Sequence, residues 1–145
     1  MAVTHLWYGL SFVTLANKEA DWDTDTVKTM LTTVTYVPNQ DTHKYKSDVT
    51  NEITGTGYTA TGTTISPLTS TYTAGTNIWN LDGADAAWTT ATFTCRIGVT
   101  YDSQPATDAT RPLLSYVDMG GDQTVSAANF TIQWAATGIV QVTVS

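Results

Sequence analysis

The residues best suited to chemistry stand where the first apolar segment ends, as Asp21, Asp23 and Asp25 in DWDTDT. Carboxylates at positions 1, 3 and 5 open an EF-hand calcium loop, which also needs glycine at position 6 and a bidentate glutamate at position 12. Thr26 and Thr32 occupy those places, so the sharp turn and the strongest ligand are both missing. Val27 to Tyr36 is dense in β-branched and aromatic residues, which favour a strand over a flanking helix. The expectation is an acidic turn at a strand entrance, capped by Asp23 or Asp25. Asp21, Asp23 and Asp25 remain the calcium candidates, and no cofactor is expected.

The other reactive types do not converge in the sequence. His5 lies in an apolar segment and His43 in a polar loop, and no serine occupies a G-x-S-x-G elbow. Cys95 is the single cysteine, which excludes an intramolecular disulfide and a four-cysteine zinc site. It alternates in FTCRIGVTY on the same side as Phe93 and Ile97, the pattern of a buried thiol. A glycosidase pair would have to be drawn from Asp21, Asp23, Asp25, Asp82 and Asp118, yet Asp82 and Asp85 in LDGAD read as turn residues. These patterns point to a protein that is not an enzyme.

Composition narrows the class further. Charged residues are 13% of the 145-residue chain, about half of the ~25% usual in soluble domains. Threonine takes their place, at about one residue in five. Such a surface suits a long-lived particle or a multi-subunit assembly. The net charge of −7 and six basic residues oppose nucleic-acid binding. The N-terminal apolar run lacks a basic leader and a small-residue cleavage pattern, and it is too interrupted to span a bilayer. Synthesis in a cytoplasm without a signal peptide, and no membrane partner, are the expectations.

The elements that must position these residues are mainly β. Thr4 to Ala16 predicts a helix, with Leu6, Leu10, Val13 and Asn17 on one face. This gives an N-terminal helical segment over residues 1–20, with Gly9 as its weak point. Pro38-Asn39-Gln40-Asp41 reads as a turn, HKYKSDVTNE as a polar loop or short helix, and Gly55, Gly57 and Gly62 as bulges or close backbone contacts. FTCRIGVTY, NFTIQW and IVQVTVS alternate with period two. AATG between the last two predicts a hairpin. TNIWNLD and LLSYVDMG add further strands, and DSQPATDATRP a loop. Seven or so short antiparallel strands over residues 21–145 predict a single-domain β-sandwich or barrel-like fold.

Of the five tryptophans and seven tyrosines, Trp79 and Trp134 fall on inward positions of their strands. Trp7, Tyr8, Trp22 and Tyr45 lie in segments without an inward face and read as interface anchors, together with Leu6, Leu10 and Phe12. The apolar stretch Leu6 to Phe12 and the polar loop Pro38 to Asp48 are the expected contact regions. Exposed Trp and Tyr platforms would also suit a carbohydrate-binding module for a host surface.

Ordered blocks in the sequence carry a resemblance. They are WYG, LANKE and DWDTDT in the first 26 residues, then Y-x-PNQDTH-x-Y, NEI-x-GTGYTA-x-G, RPLLSYVDMG and F-x-I-x-W-x3-GI. In this order, from about Leu6 to Val144, the chain resembles a family of small structural proteins encoded by tailed bacteriophages. Ala20, where a larger aliphatic residue is usual, and Ser11-Phe12 depart from the pattern. The resemblance implies a virion location, capsid or tail proteins as partners, and a homo-oligomer, expected as a trimer. It implies capsid decoration first, and a minor tail or fibre-base component as the alternative. No catalytic residues follow from it.

Overall fold

The β-branched and aromatic segments form eight strands in the computed structural model, which describes residues 2–145. In chain order these are β1 (Thr4–Trp7), β2 (Val27–Thr32), β3 (Thr63–Thr64), β4 (Leu68–Thr73), β5 (Ile78–Gly83), β6 (Ala86–Asp102), β7 (Leu113–Ile132) and β8 (Val140–Thr143), with a helix α1 (Gly9–Ala16) after β1. Five strands pair in the order β1-β7-β6-β2-β3 and three in the order β4-β5-β8, all antiparallel. The fold is mainly β and sandwich-like, as the alternation predicts.

Two of the strands are not short. β6 and β7 run 17 and 20 residues and pair from Tyr101↔Leu113 to Ala86↔Ile132. Between Cys95↔Gln123 and Ile97↔Asp118, two steps along β6 are matched by five along β7, a large bulge at Met119 to Asp122. Gly120 there has φ of 75°, a conformation glycine adopts at no steric cost. The ribbon turns back at this bulge, and its far end packs on its own middle. A Cβ on Gly98 would lie only 2.5 Å from Ile132 Cδ1. One core is thereby enclosed: Val27, Leu31 and Val117 from the flat part of the sheet meet Trp88, Phe93 and Ile132 from the folded-over part.

A second core lies on the opposite face of the same sheet, formed by Tyr8, Met30, Tyr36, Val99, Tyr101 and Leu113 with Ile97. This corrects the single-faced reading of FTCRIGVTY. Phe93 and Cys95 belong to the first core and Ile97, Val99 and Tyr101 to the second, because the bulge changes which face the strand presents. Covered on both faces, Ile97 to Asp102 is buried without interruption.

The predicted helix over Thr4 to Ala16 is also corrected. Thr4–Trp7 is an edge strand, paired as Thr4↔Asp118 through Trp7↔Ser115, and only Gly9–Ala16 is helical. Strand pairing with a segment more than a hundred residues away overrides the local 3.6-residue pattern. Gly9 therefore opens the helix instead of weakening its interior. The helix ends at Asn17, followed by Lys18 at φ 56°.

The AATG connection departs from expectation as well. Ala135 and Gly138 close a tight turn, but the chain then leaves β7, and β8 pairs with β5 of the other sheet. Indole N–H groups join the layers: Trp7 Nε1 donates to Ile139 O at 3.1 Å and Trp22 Nε1 to Thr69 O at 2.9 Å. Trp134 Nε1 donates to Ala84 O at 2.9 Å, and its inward placement is as predicted. Trp79 is half-buried against the first core.

Candidate interaction surface

The acidic turn is closed by its own carboxylates. Asp21 Oδ1 accepts from the Asp23 and Thr24 amides at 3.0 and 3.3 Å, and Asp25 Oδ2 accepts from the Asp21 amide at 2.9 Å. The Asp23 amide, helped by Thr24 and Lys18 against partial desolvation, holds the Asp21 carboxyl below the usual range. The turn is thus capped by Asp21 and Asp25, where Asp23 or Asp25 was expected. Among the described residues, no group of three or more His, Cys, Asp or Glu side chains is placed to hold a metal ion.

A fourth carboxylate stands beside this turn. Asp102 ends β6 opposite Val27, and the neighbouring Ser103 amide donates to Thr26 O at 2.8 Å. Asp102 is 1% exposed. Its Oδ1 accepts from the Gln104 amide at 2.8 Å, while Oδ2 has no hydrogen-bond partner. Burial, with the nearby Asp25 adding to it, pushes its pKa up to about 7. The sequence hint was a charged residue closing an otherwise apolar alternation.

The remaining reactive groups are engaged within the fold. Tyr8 Oη lies 2.8 Å from Tyr36 Oη, which lies 3.0 Å from His43 Nδ1. That nitrogen also accepts from the Asn39 amide at 3.3 Å, so Tyr36 donates to His43 and Tyr8 to Tyr36. Burial first, then Tyr36, raises the Tyr8 pKa far above the ordinary phenol range. The His5 ring lies tilted against Trp134, with centroids 5.4 Å apart, and burial lowers its pKa. Burial also pushes the Cys95 thiol up to about 12. The native protein is therefore expected to resist iodoacetamide at pH 8, with labelling more than 100-fold faster after denaturation. Mass spectrometry of the alkylated chain measures this directly.

The two segments read as contact regions come together. Gly9 N donates to Gln40 O at 2.9 Å, Gln40 Nε2 to Trp7 O at 2.6 Å, and Tyr45 Oη to Glu19 Oε2 at 2.7 Å. Lys44 Nζ lies 3.0 Å from Glu19 Oε2. The Pro38 to Asp48 loop is also fastened from behind. Lys46 N donates to Arg111 O at 2.8 Å, and Lys46 Nζ, almost fully buried, pairs with Asp108 at 2.8 Å.

The candidate anchors divide. Tyr8 is fully buried and Trp22 nearly so, since each serves a core and donates a hydrogen bond, which withdraws both from a surface role. Leu10, Trp7 and Tyr45 are half-buried. Leu6 and Phe12 are exposed, at 37% and 44%, and so is Val13 at 46%. The Trp7 and Phe12 rings meet at 5.8 Å.

The polarity of α1 is inverted. Its buried residues are Ser11 and Thr14, whose hydroxyls donate to Tyr8 O at 2.6 Å and Ser11 O at 2.9 Å. Phe12 and Val13 face out. A helix ordinarily buries its apolar stripe, so the predicted Leu6, Leu10, Val13 face is not the buried one. An exposed apolar helix surface rimmed by polar groups is what a docking site looks like.

A cleft of about 460 Å³ opens elsewhere, between the start of β1 and the bend of β7. Val117, Met119, Phe130 and Ile132 form its apolar part, and Gln123 and Gln133 are among its polar lining residues. It has no counterpart in the sequence reading, because the bend that creates it brings together residues far apart in β7. Comparison with family models, with curated proteins and with solved structures finds no match for this chain.

Proposed function

We propose that this chain is a non-enzymatic structural protein of a bacteriophage particle, a decoration protein that docks on the assembled head and stabilises it. The observation that supports this reading is the inverted helix, with Phe12 and Val13 presented to solvent beside Trp7. The resemblance read in the ordered blocks from WYG to F-x-I-x-W-x3-GI points the same way. Stabilisation would come by mass action, since a protein that binds only the assembled shell shifts the equilibrium toward it. Several copies around a symmetry axis would multiply one modest interface.

Removing residues 1–12 is a poor test, because it deletes β1 and the buried Tyr8 along with the surface. Phe12→Asp is the better variant. It is expected to cost about 1–2 kcal/mol of stability through the lost Trp7 ring contact, leaving the protein folded, while weakening binding to purified particles at least ten-fold. Copy number per particle, by densitometry against the major capsid protein, separates the roles. Near parity or a simple fraction means decoration, a handful means tail or fibre base, and absence overturns the virion reading.

A further inference from the structure

The long strand β7 carries an open edge. β6 lines one side of it throughout, but β1 covers the other side only from Ser115 to Asp118. From Gln123 to Thr131 no strand among the described residues lies on the outer backbone edge. An open edge is a row of donors and acceptors ready for another strand, and proteins usually blunt it with lysine, proline or an inward charge. None is present here: Gln123 to Ala135 contains no charged residue, no proline and no glycine. The local irregularities are two register shifts, one near Ala127, at φ 48°, and one between Ala128 and Phe130, opposite Thr90 of β6 at φ 49°. The apolar cleft of Val117, Met119, Phe130 and Ile132 lies beside this edge.

Charge indicates what can cover it. With a net charge of −7, two copies repel over most approaches. Apart from Asp122, this edge is neutral, and the cleft is lined by no Lys, Arg, Asp or Glu. An antiparallel pair about a two-fold axis sets each residue of the strand against a residue of the same strand, so a neutral edge is its own complement. We propose that the Gln123–Thr131 edge of β7 is a self-association surface, where a second copy adds its own β7 antiparallel and continues the sheet across the two-fold axis. This inference does not rest on the capsid reading.

Sedimentation of the full chain between 1 and 500 µM tests it, using wild type, Ser126→Lys and Thr131→Lys. Both positions are exposed; Ser126 lies next to the axis, where its lysine meets the lysine of the second copy, and Thr131 lies at the end of the paired segment, where a lysine blunts the edge. A concentration-dependent dimer is expected for wild type, weakened at least ten-fold by either lysine and unchanged by Thr73→Lys at the far hairpin. In hydrogen exchange, amides of residues 123–131 should gain protection as concentration rises. A wild type that stays monomeric at 500 µM overturns the proposal. So does a dimer that both lysines leave intact, or one whose concentration-dependent protection lies elsewhere.

Discussion

Asp102→Asn is expected to stabilise the protein strongly at pH 8 and hardly at all at pH 4. The Asp102 carboxyl is buried, leaves Oδ2 without a partner and has the Asp25 carboxyl beside it. Its folded-state pKa, about 7, lies above the ordinary 3.8. Between those values the folded chain holds a proton that the unfolded chain releases, so stability falls as pH rises through that window. Below about pH 4 both states are protonated and no penalty remains. Above about pH 7 the full penalty applies, on the order of 4 kcal/mol. Asparagine keeps an oxygen for the Gln104 amide and presents an NH2 where the unpartnered oxygen stood. Urea unfolding of both proteins from pH 4 to pH 8 should give curves that coincide at the acid end and separate steadily above pH 5. Parallel curves would mean that Asp102 does not change its protonation on folding.

Gly62→Ala should be the most damaging of the small substitutions. Gly62 has φ of 84°, and a Cβ there would run into the β2 backbone, 2.6 Å from Met30 Cα and closer still to the Thr29 carbonyl oxygen. Backbone cannot move aside as a side-chain tip can. Left-handed strain and overpacking each cost about 1–3 kcal/mol, so a loss of about 3–5 kcal/mol is expected. Its neighbour Thr61 also accepts the Tyr101 hydroxyl at 2.8 Å, so displacing this loop would disturb the second core. Gly75, in the β4–β5 turn with open space around it, is the control. Gly75→Ala should shift the denaturation midpoint by less than about 0.5 kcal/mol equivalent.

What could be read from the sequence was what short-range pattern determines. Period-two runs located the strands around Phe93, Phe130 and Val140, and the glycines at 55, 57 and 62 announced close backbone approach, which the structure has. The acidic turn was legible because an Asp side chain reaches its own neighbours. What escaped was decided at long range. Thr4–Trp7 reads as helix alone and becomes strand only through β7. The change of face between Cys95 and Ile97 originates in the partner strand, at Gly120 and Gly121, so nothing within FTCRIGVTY announces it. Tyr8 and Trp22 looked free because the segments covering them, at Tyr36 and Thr69, lie 28 and 47 residues further on. Val13 was misjudged for a simpler reason: the helical period finds an apolar stripe but does not say which side faces the core.

The pairing of β1 with β7 also sets an order of events during synthesis. Thr4–Trp7 leaves the ribosome before Ser115–Asp118, its one strand partner among the described residues. At about 5–20 residues per second, that partner emerges roughly 5–20 s later. Throughout this interval the apolar start of the chain waits without its native cover, and β2 likewise waits for the end of β6. The nascent chain cannot complete its fold from the N-terminus forward. The local β4–β5 hairpin can pair early, but the five-stranded sheet closes only when the last third appears, and long-range pairing of this kind slows folding.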